Sequence, residues 1–151
     1  MHEENARRAD SVPLTVFRGP PQKERDALSN SNIRVTLAIR LIHQQYQHTG
    51  LTLAHFASQL NISVWHLARI FKKETGESLK QHLRAVRMTK AKELLVVTTC
   101  SIKEIAASVG YNHVSDFDHH FKAAVHMRPG EYRILMLKVE SREQELPINT
   151  G

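Results

Sequence analysis

The chain has a single cysteine, Cys100, in 151 residues. One thiol cannot close an intrachain disulfide, and it excludes a cysteine-rich zinc site. Such sparing use suits a reducing compartment, so a cytoplasmic location is expected. Long hydrophobic runs are missing as well. None approaches the 18 residues from which a membrane span is read. Residues 1–10 are polar and charged, unlike the apolar heart of a secretory signal. There is no glycine-rich phosphate loop, no nucleophile elbow and no carboxylate pair with an obvious cleft. An enzyme is therefore not expected, and neither is a cofactor.

What is present is ordinary in amount and unusual in distribution. The chain is 41% hydrophobic and 24% charged, which suits a folded domain. Its net charge of +6 is unevenly placed. Residues 1–31 balance to zero, residues 32–139 carry +8 and residues 140–151 carry −2. Eight of the nine aromatic residues also lie in 32–139. One region thus holds both the core and the positive field, which points to a polyanionic partner.

The chain organises as a flexible leader (1–31), two folded segments (32–98 and 99–139) and a flexible tail (140–151). In the leader, Gly19-Pro20-Pro21 interrupts any regular element, and residues 11–17 could form one short strand. From Asn32 the pattern is helical. Ile33, Leu37, Leu41 and Ile42 recur at helical spacing and give a first helix to about Tyr46. Thr52 and Ser63 are placed to cap a second helix (53–60) and a third helix ending near Thr75, with Gly76 as a left-handed stop. Ser78 with Gln81 forms a capping box that opens a long fourth helix (79–97), and Ser101 with Glu104 opens a fifth to Val109. A sixth helix spans about 113–125. Pro129 starts a seventh that runs to about Val139.

This region repeats itself. Leu53, Phe56, Ala57, Leu60 and Ile62 recur as Ile102, Ile105, Ala106, Val109 and Tyr111, 49 residues on. Leu67, Phe71 and Lys72 recur as Phe117, Phe121 and Lys122, 50 residues on. Each copy is a short helix, a tight turn and a second helix, the helix-turn-helix pattern. Ala57 and Ala106 allow the two helices to cross closely, and Ile62 or Tyr111 locks the turn. The fold class is all-α: seven helices in two helix-turn-helix subdomains joined by a long linker helix.

The ordered run of Ala57, Ser63, Leu67, Phe71-Lys72-Lys73-Glu74-Thr75-Gly76, Arg87-Met88 and Ala91-Lys92-Glu93-Leu94-Leu95 is specific. It continues through Ile102-Lys103-Glu104-Ile105-Ala106, Val109-Gly110-Tyr111, Ser115, Phe117, Phe121-Lys122 and Pro129-Gly130-Glu131-Tyr132-Arg133. Over about residues 33–134 the chain resembles the DNA-binding domain of the AraC/XylS family of bacterial transcription regulators. It looks most like the family's small stand-alone members. The resemblance implies that helices three and six are recognition helices entering successive major grooves. The fourth helix spans roughly 28 Å at about 1.5 Å per residue, which is compatible with a groove repeat of about 34 Å.

By resemblance, Trp65, Ala68 and Arg69 on the third helix face bases. A bidentate pairing of Arg69 with guanine would give about 1–3 kcal/mol of discrimination. His66, Lys72 and Lys73, with Lys122 on the sixth helix, are phosphate candidates, which position without specifying. The matching base-facing positions on the sixth helix are Val114, Ser115, Asp116, Asp118 and His119. This second set is an odd reader, because Asp116 and Asp118 repel phosphate. Residues 32–98 carry +7 and residues 99–139 only +1. His126 replaces the stop glycine and Arg128 the capping serine of the first copy, so a less well stopped sixth helix is expected. The first motif is thus expected to supply most of the affinity and the second to tune it.

The expected partner is double-stranded DNA, with RNA polymerase a further candidate and no membrane. A monomer on an asymmetric site follows, because two unlike motifs already cover two grooves. Two other readings stay open: a protein-binding adaptor on the same helical scaffold, and a metal-responsive regulator using His113, Asp116 and His120. The second suffers from poor convergence of three collinear groups, and no metal site is expected. A leader of 31 residues is too short for the sensor domain that many relatives carry. A stand-alone regulator is the expectation, with the carboxy-terminal piece of a longer chain as the alternative.

Overall fold

The computed structural model describes residues 21–145. Seven helices follow in order: α1 (Gln22–Gln45), α2 (Leu53–Gln59), α3 (Val64–Thr75), α4 (Leu79–Val97), α5 (Ile102–Ser108), α6 (Val114–Val125) and α7 (Pro129–Gln144). There is no strand among the described residues. The strand expected at 11–17, and the flexibility expected of the outermost leader and tail, lie outside the described residues.

The capping chemistry read from the sequence is in place. The Thr52 hydroxyl accepts from the His55 N–H, and the Ser63 hydroxyl from the His66 N–H. Ser78–Gln81 and Ser101–Glu104 form reciprocal boxes that satisfy two otherwise orphaned amides each. Both turns also repeat in detail. The Ile62 N–H reaches the Ala57 carbonyl at 3.0 Å, and the Tyr111 N–H reaches that of Ala106 at 2.9 Å. The residue before each, Asn61 (φ 53°) and Gly110 (φ 92°), is left-handed.

The first helix departs from expectation at its start. It begins at Gln22, ten residues before the expected Asn32, so the end of the expected leader is helical. Pro21 starts it: the proline carbonyl accepts from the Glu24 N–H at 2.8 Å. Residues 22–27 are all exposed, so no apolar periodicity marks them in the sequence. The core-facing residues are Val35, Ala38 and Ile42, whereas Ile33 and Leu37 are 55% and 39% exposed. Leu37 lies about 200° around the helix from Val35 at 3.6 residues per turn. Ala38, small enough for close approach, sets which side faces in. At the other end of the chain, α7 continues past Val139 to Gln144.

Two cores result. The first gathers Phe56, Leu67, Phe71 and Ile42 with Leu79, Leu83 and Val86 from the first half of α4. The second gathers Ile105, Val109, Phe117 and Phe121 with Met88, Ala91 and Leu95 from its second half. The linker helix therefore supplies one face to each subdomain. Tyr46, at the end of α1, packs against both cores.

Candidate nucleic-acid interface

Helix α3 buries Leu67, Ile70 and Phe71 and leaves a polar flank free. Trp65 on that flank is 71% exposed. An aromatic side chain of this size outside a core calls for a partner. One turn on, the Arg69 guanidinium lies 5.1 Å from the Trp65 ring centroid, a cation–π contact that restrains both side chains. Ala68 is half-buried, and Lys72 and Lys73 are exposed. His66 is half-buried at the first turn, where its amide serves the Ser63 cap. Trp65, Ala68, Arg69, Lys72 and Lys73 together surround one shallow hollow on the outside of the helix. Five of the six α3 residues expected to read or hold DNA thus line one surface, and His66 is not among them.

Helix α6 is built alike but offers different chemistry. Phe117 and Phe121 are buried, and Val114, Ser115, Asp116, His119 and Lys122 are exposed. Asp118 is half-buried and accepts from the Arg128 guanidinium at 3.4 Å, so its charge is already partnered. The His119 and His120 rings lie tilted to each other, with their centroids 5.8 Å apart.

The end of α6 corrects one expectation. Its stop is formed as well as that of α3. The His126 N–H meets the Lys122 carbonyl at 2.9 Å, as the Gly76 N–H meets that of Lys72. His126 achieves this at φ 63°, a conformation that costs a residue with a Cβ more than it costs glycine. Arg128 cannot accept a bond as serine does, yet its amide donates to the Glu131 carboxylate at 2.9 Å, so half of the capping box survives.

His113, Asp116 and His120 do not form a metal site. Among the described residues, no group of three or more His, Cys, Asp or Glu could hold an ion. His120 is occupied otherwise: its Nδ1 lies 3.0 Å from the Tyr111 hydroxyl. Burial lowers its pKa, with Arg84 and His119 acting the same way.

Sequence reasoning missed the seam between the subdomains. Arg87 on α4 donates from Nε to the Tyr46 carbonyl at 2.9 Å and from its terminal nitrogen to the His48 carbonyl at 2.8 Å. Its guanidinium also sits 5.5 Å from the Tyr111 ring centroid. Gly110 is buried against the same groups, and a Cβ there would collide with the Tyr46 carbonyl. Arg133 on α7 plays a similar part, donating to the Leu95 carbonyl at 3.0 Å and the Cys100 carbonyl at 2.6 Å. Each arginine ties the end of an earlier long helix to a later one. The signal was visible only as Arg87 and Arg133 among the resemblance residues, without a role.

Also missed was the approach of α1 to α3. Glu24, Ala27 and Ser31 line one hollow with Arg69 and Lys73. The early turns of α1 thus flank α3 and place a carboxylate beside its cations.

Comparison with known proteins agrees with this geometry. The helix-turn-helix domain family profile matches residues 56–134. The multiple antibiotic resistance protein MarA of Salmonella typhimurium is 36% identical over 101 residues, covering 67% of this chain and 79% of its own. The xylose operon regulatory protein of Escherichia coli is 30% identical over 128 residues; the match covers 82% of this chain and 33% of that longer one. Among solved structures, the C-terminal domain of AraT, a response regulator from Geobacillus stearothermophilus, superposes with a TM-score of 0.65 at 35% identity, covering 78% of this chain and 91% of that one. The chain belongs to the AraC/XylS family of DNA-binding transcription regulators.

Proposed function

We propose that this protein is a sequence-specific transcriptional activator that sets α3 and α6 into successive major grooves of one DNA duplex. It acts as a monomer on an asymmetric site in the bacterial cytoplasm, at the nucleoid, with RNA polymerase as its protein partner. Arg69, steadied by Trp65, reads a base edge, and Trp65 presses on sugar or a thymine methyl. Lys72, Lys73 and His66 hold phosphates. On α6, Val114, Ser115, Asp116 and His119 line the second groove, Lys122 holds a phosphate, and Asp118 is turned toward Arg128.

The observation that carries this reading is the exposed α3 flank, where a 71% exposed tryptophan lies beside an arginine and two lysines. Selection of bound DNA from a random pool tests it. The expected result is an enriched, asymmetric site. An unenriched pool would remove the specific reader, and a palindromic site would remove the monomer.

A further inference from the structure

Beside the recognition helix the first subdomain contains a cleft of 560 Å³. That volume falls within the range of about 300–1,000 Å³ typical of small-molecule sites. Its walls are the side chains of Leu51, Leu53, Leu79 and Leu83, from the segments that open α2 and α4. Its α3 side is formed by Ala68, whose single methyl leaves the space open, and by Lys72. Lys80 completes it. No acidic residue lines the cleft. Neither lysine's ammonium group makes a hydrogen bond or ion pair among the described residues. A smaller hollow shares Leu51, Lys80 and Leu83 with it and reaches Arg84 and Tyr111 at the subdomain seam.

An apolar chamber with two unpaired ammonium groups and no carboxylate selects its ligand by chemistry. The walls bury an aliphatic or aromatic body. The lysines attract one anionic head and repel a cationic one. We propose that this cleft binds a small amphiphilic carboxylate, and that its occupancy weakens DNA binding. The second half rests on the DNA-reading role of α3. Lys72 cannot pair with a ligand carboxylate and a phosphate at once, and Ala68 lies on both surfaces.

The test uses the full chain, labelled with ¹⁵N and titrated with octanoate below micelle formation. Saturable shifts are expected at the amides of Leu53, Ala68 and Leu83, with Phe117 and Phe121 unmoved. 1-Octanol should bind at least fivefold more weakly, and octyltrimethylammonium should not bind. Lys80→Glu should weaken octanoate at least tenfold with an unchanged melting temperature, since Lys80 is exposed and a carboxylate suits a helix start. Lys80→Gln gives a second variant without charge reversal. In fluorescence anisotropy with selected DNA, saturating octanoate should lower affinity at least fivefold.

Non-saturable shifts, or shifts spread over both subdomains, would overturn the site. So would equal binding of octanol, or affinity untouched in both Lys80 variants. A filled cleft with unchanged DNA affinity would overturn the coupling. A protein that enriches no DNA would overturn the regulator reading and leave the octanoate titration to stand on its own.

Discussion

The Arg87 guanidinium holds the Tyr46 carbonyl at 2.9 Å across the seam between the subdomains. Half-buried, it is desolvated enough to lower its pKa, an effect that Tyr111 opposes. Its second donor satisfies the His48 carbonyl just past the end of α1. Arg87→Met keeps the apolar stem and leaves both carbonyls without this partner. A loss on the order of 1–3 kcal/mol is expected for orphaning such groups. Urea denaturation should show a lower midpoint. Arg87→Lys should rescue only part of it, because an ammonium cannot span the two acceptors as a planar fork does.

His126 holds a left-handed conformation, φ 63°, that Gly76 holds in the first copy. His126→Gly should therefore stabilise the protein, by about 0.5–1 kcal/mol after the glycine's added unfolded-state entropy. Thermal melts check this. Gly76→Ala should move the melting temperature the opposite way, for the same reason.

His120 gives the second subdomain a pH dependence. Its folded pKa lies below the ordinary 6.5 through burial first, then Arg84, His119 and Lys80, with Asp116 opposing. The unfolded chain therefore binds more protons between that lowered value and 6.5. By linkage, stability is fully present above 6.5 and falls as pH drops through the folded value. Denaturation midpoints measured between pH 8 and 5 should decline on the acid side. His120→Gln cannot titrate but can still accept from Tyr111, and it should remove that part of the decline.

Most of the fold was legible because caps and stops are local chemistry. Ser63, Ser78, Ser101 and Gly76 act within a few residues of their own positions, and the structure has them as read. The repeat was legible because Ala57 and Ala106 answer the same steric demand. The helical start at residues 22–27 was not, since an exposed helical turn leaves no apolar period behind. Nor could the spacing of Ile33 and Leu37 tell which side of α1 the bundle covers, and both are exposed. At the site, Trp65, Arg69, Lys72 and Lys73 could be placed on one flank by helical spacing. The Asp118–Arg128 pair, the Arg87 seam and the Leu51–Leu83 cleft could not. Each depends on residues brought together by the fold rather than by the period of one helix.

We propose that the two motifs are unequal, with α3 supplying most of the affinity. Anisotropy titrations on one selected DNA compare Arg69→Ala and Lys72→Ala with Ser115→Ala and His119→Ala. Loss of a bidentate base contact costs about 1–3 kcal/mol, so Arg69→Ala should weaken binding roughly tenfold or more. Lys72→Ala should also reduce the salt slope by about one phosphate. The α6 variants should each stay within roughly threefold of the parent, less than about 1 kcal/mol. Equal losses from the two helices, or larger losses from α6, would show that α3 does not supply most of the affinity.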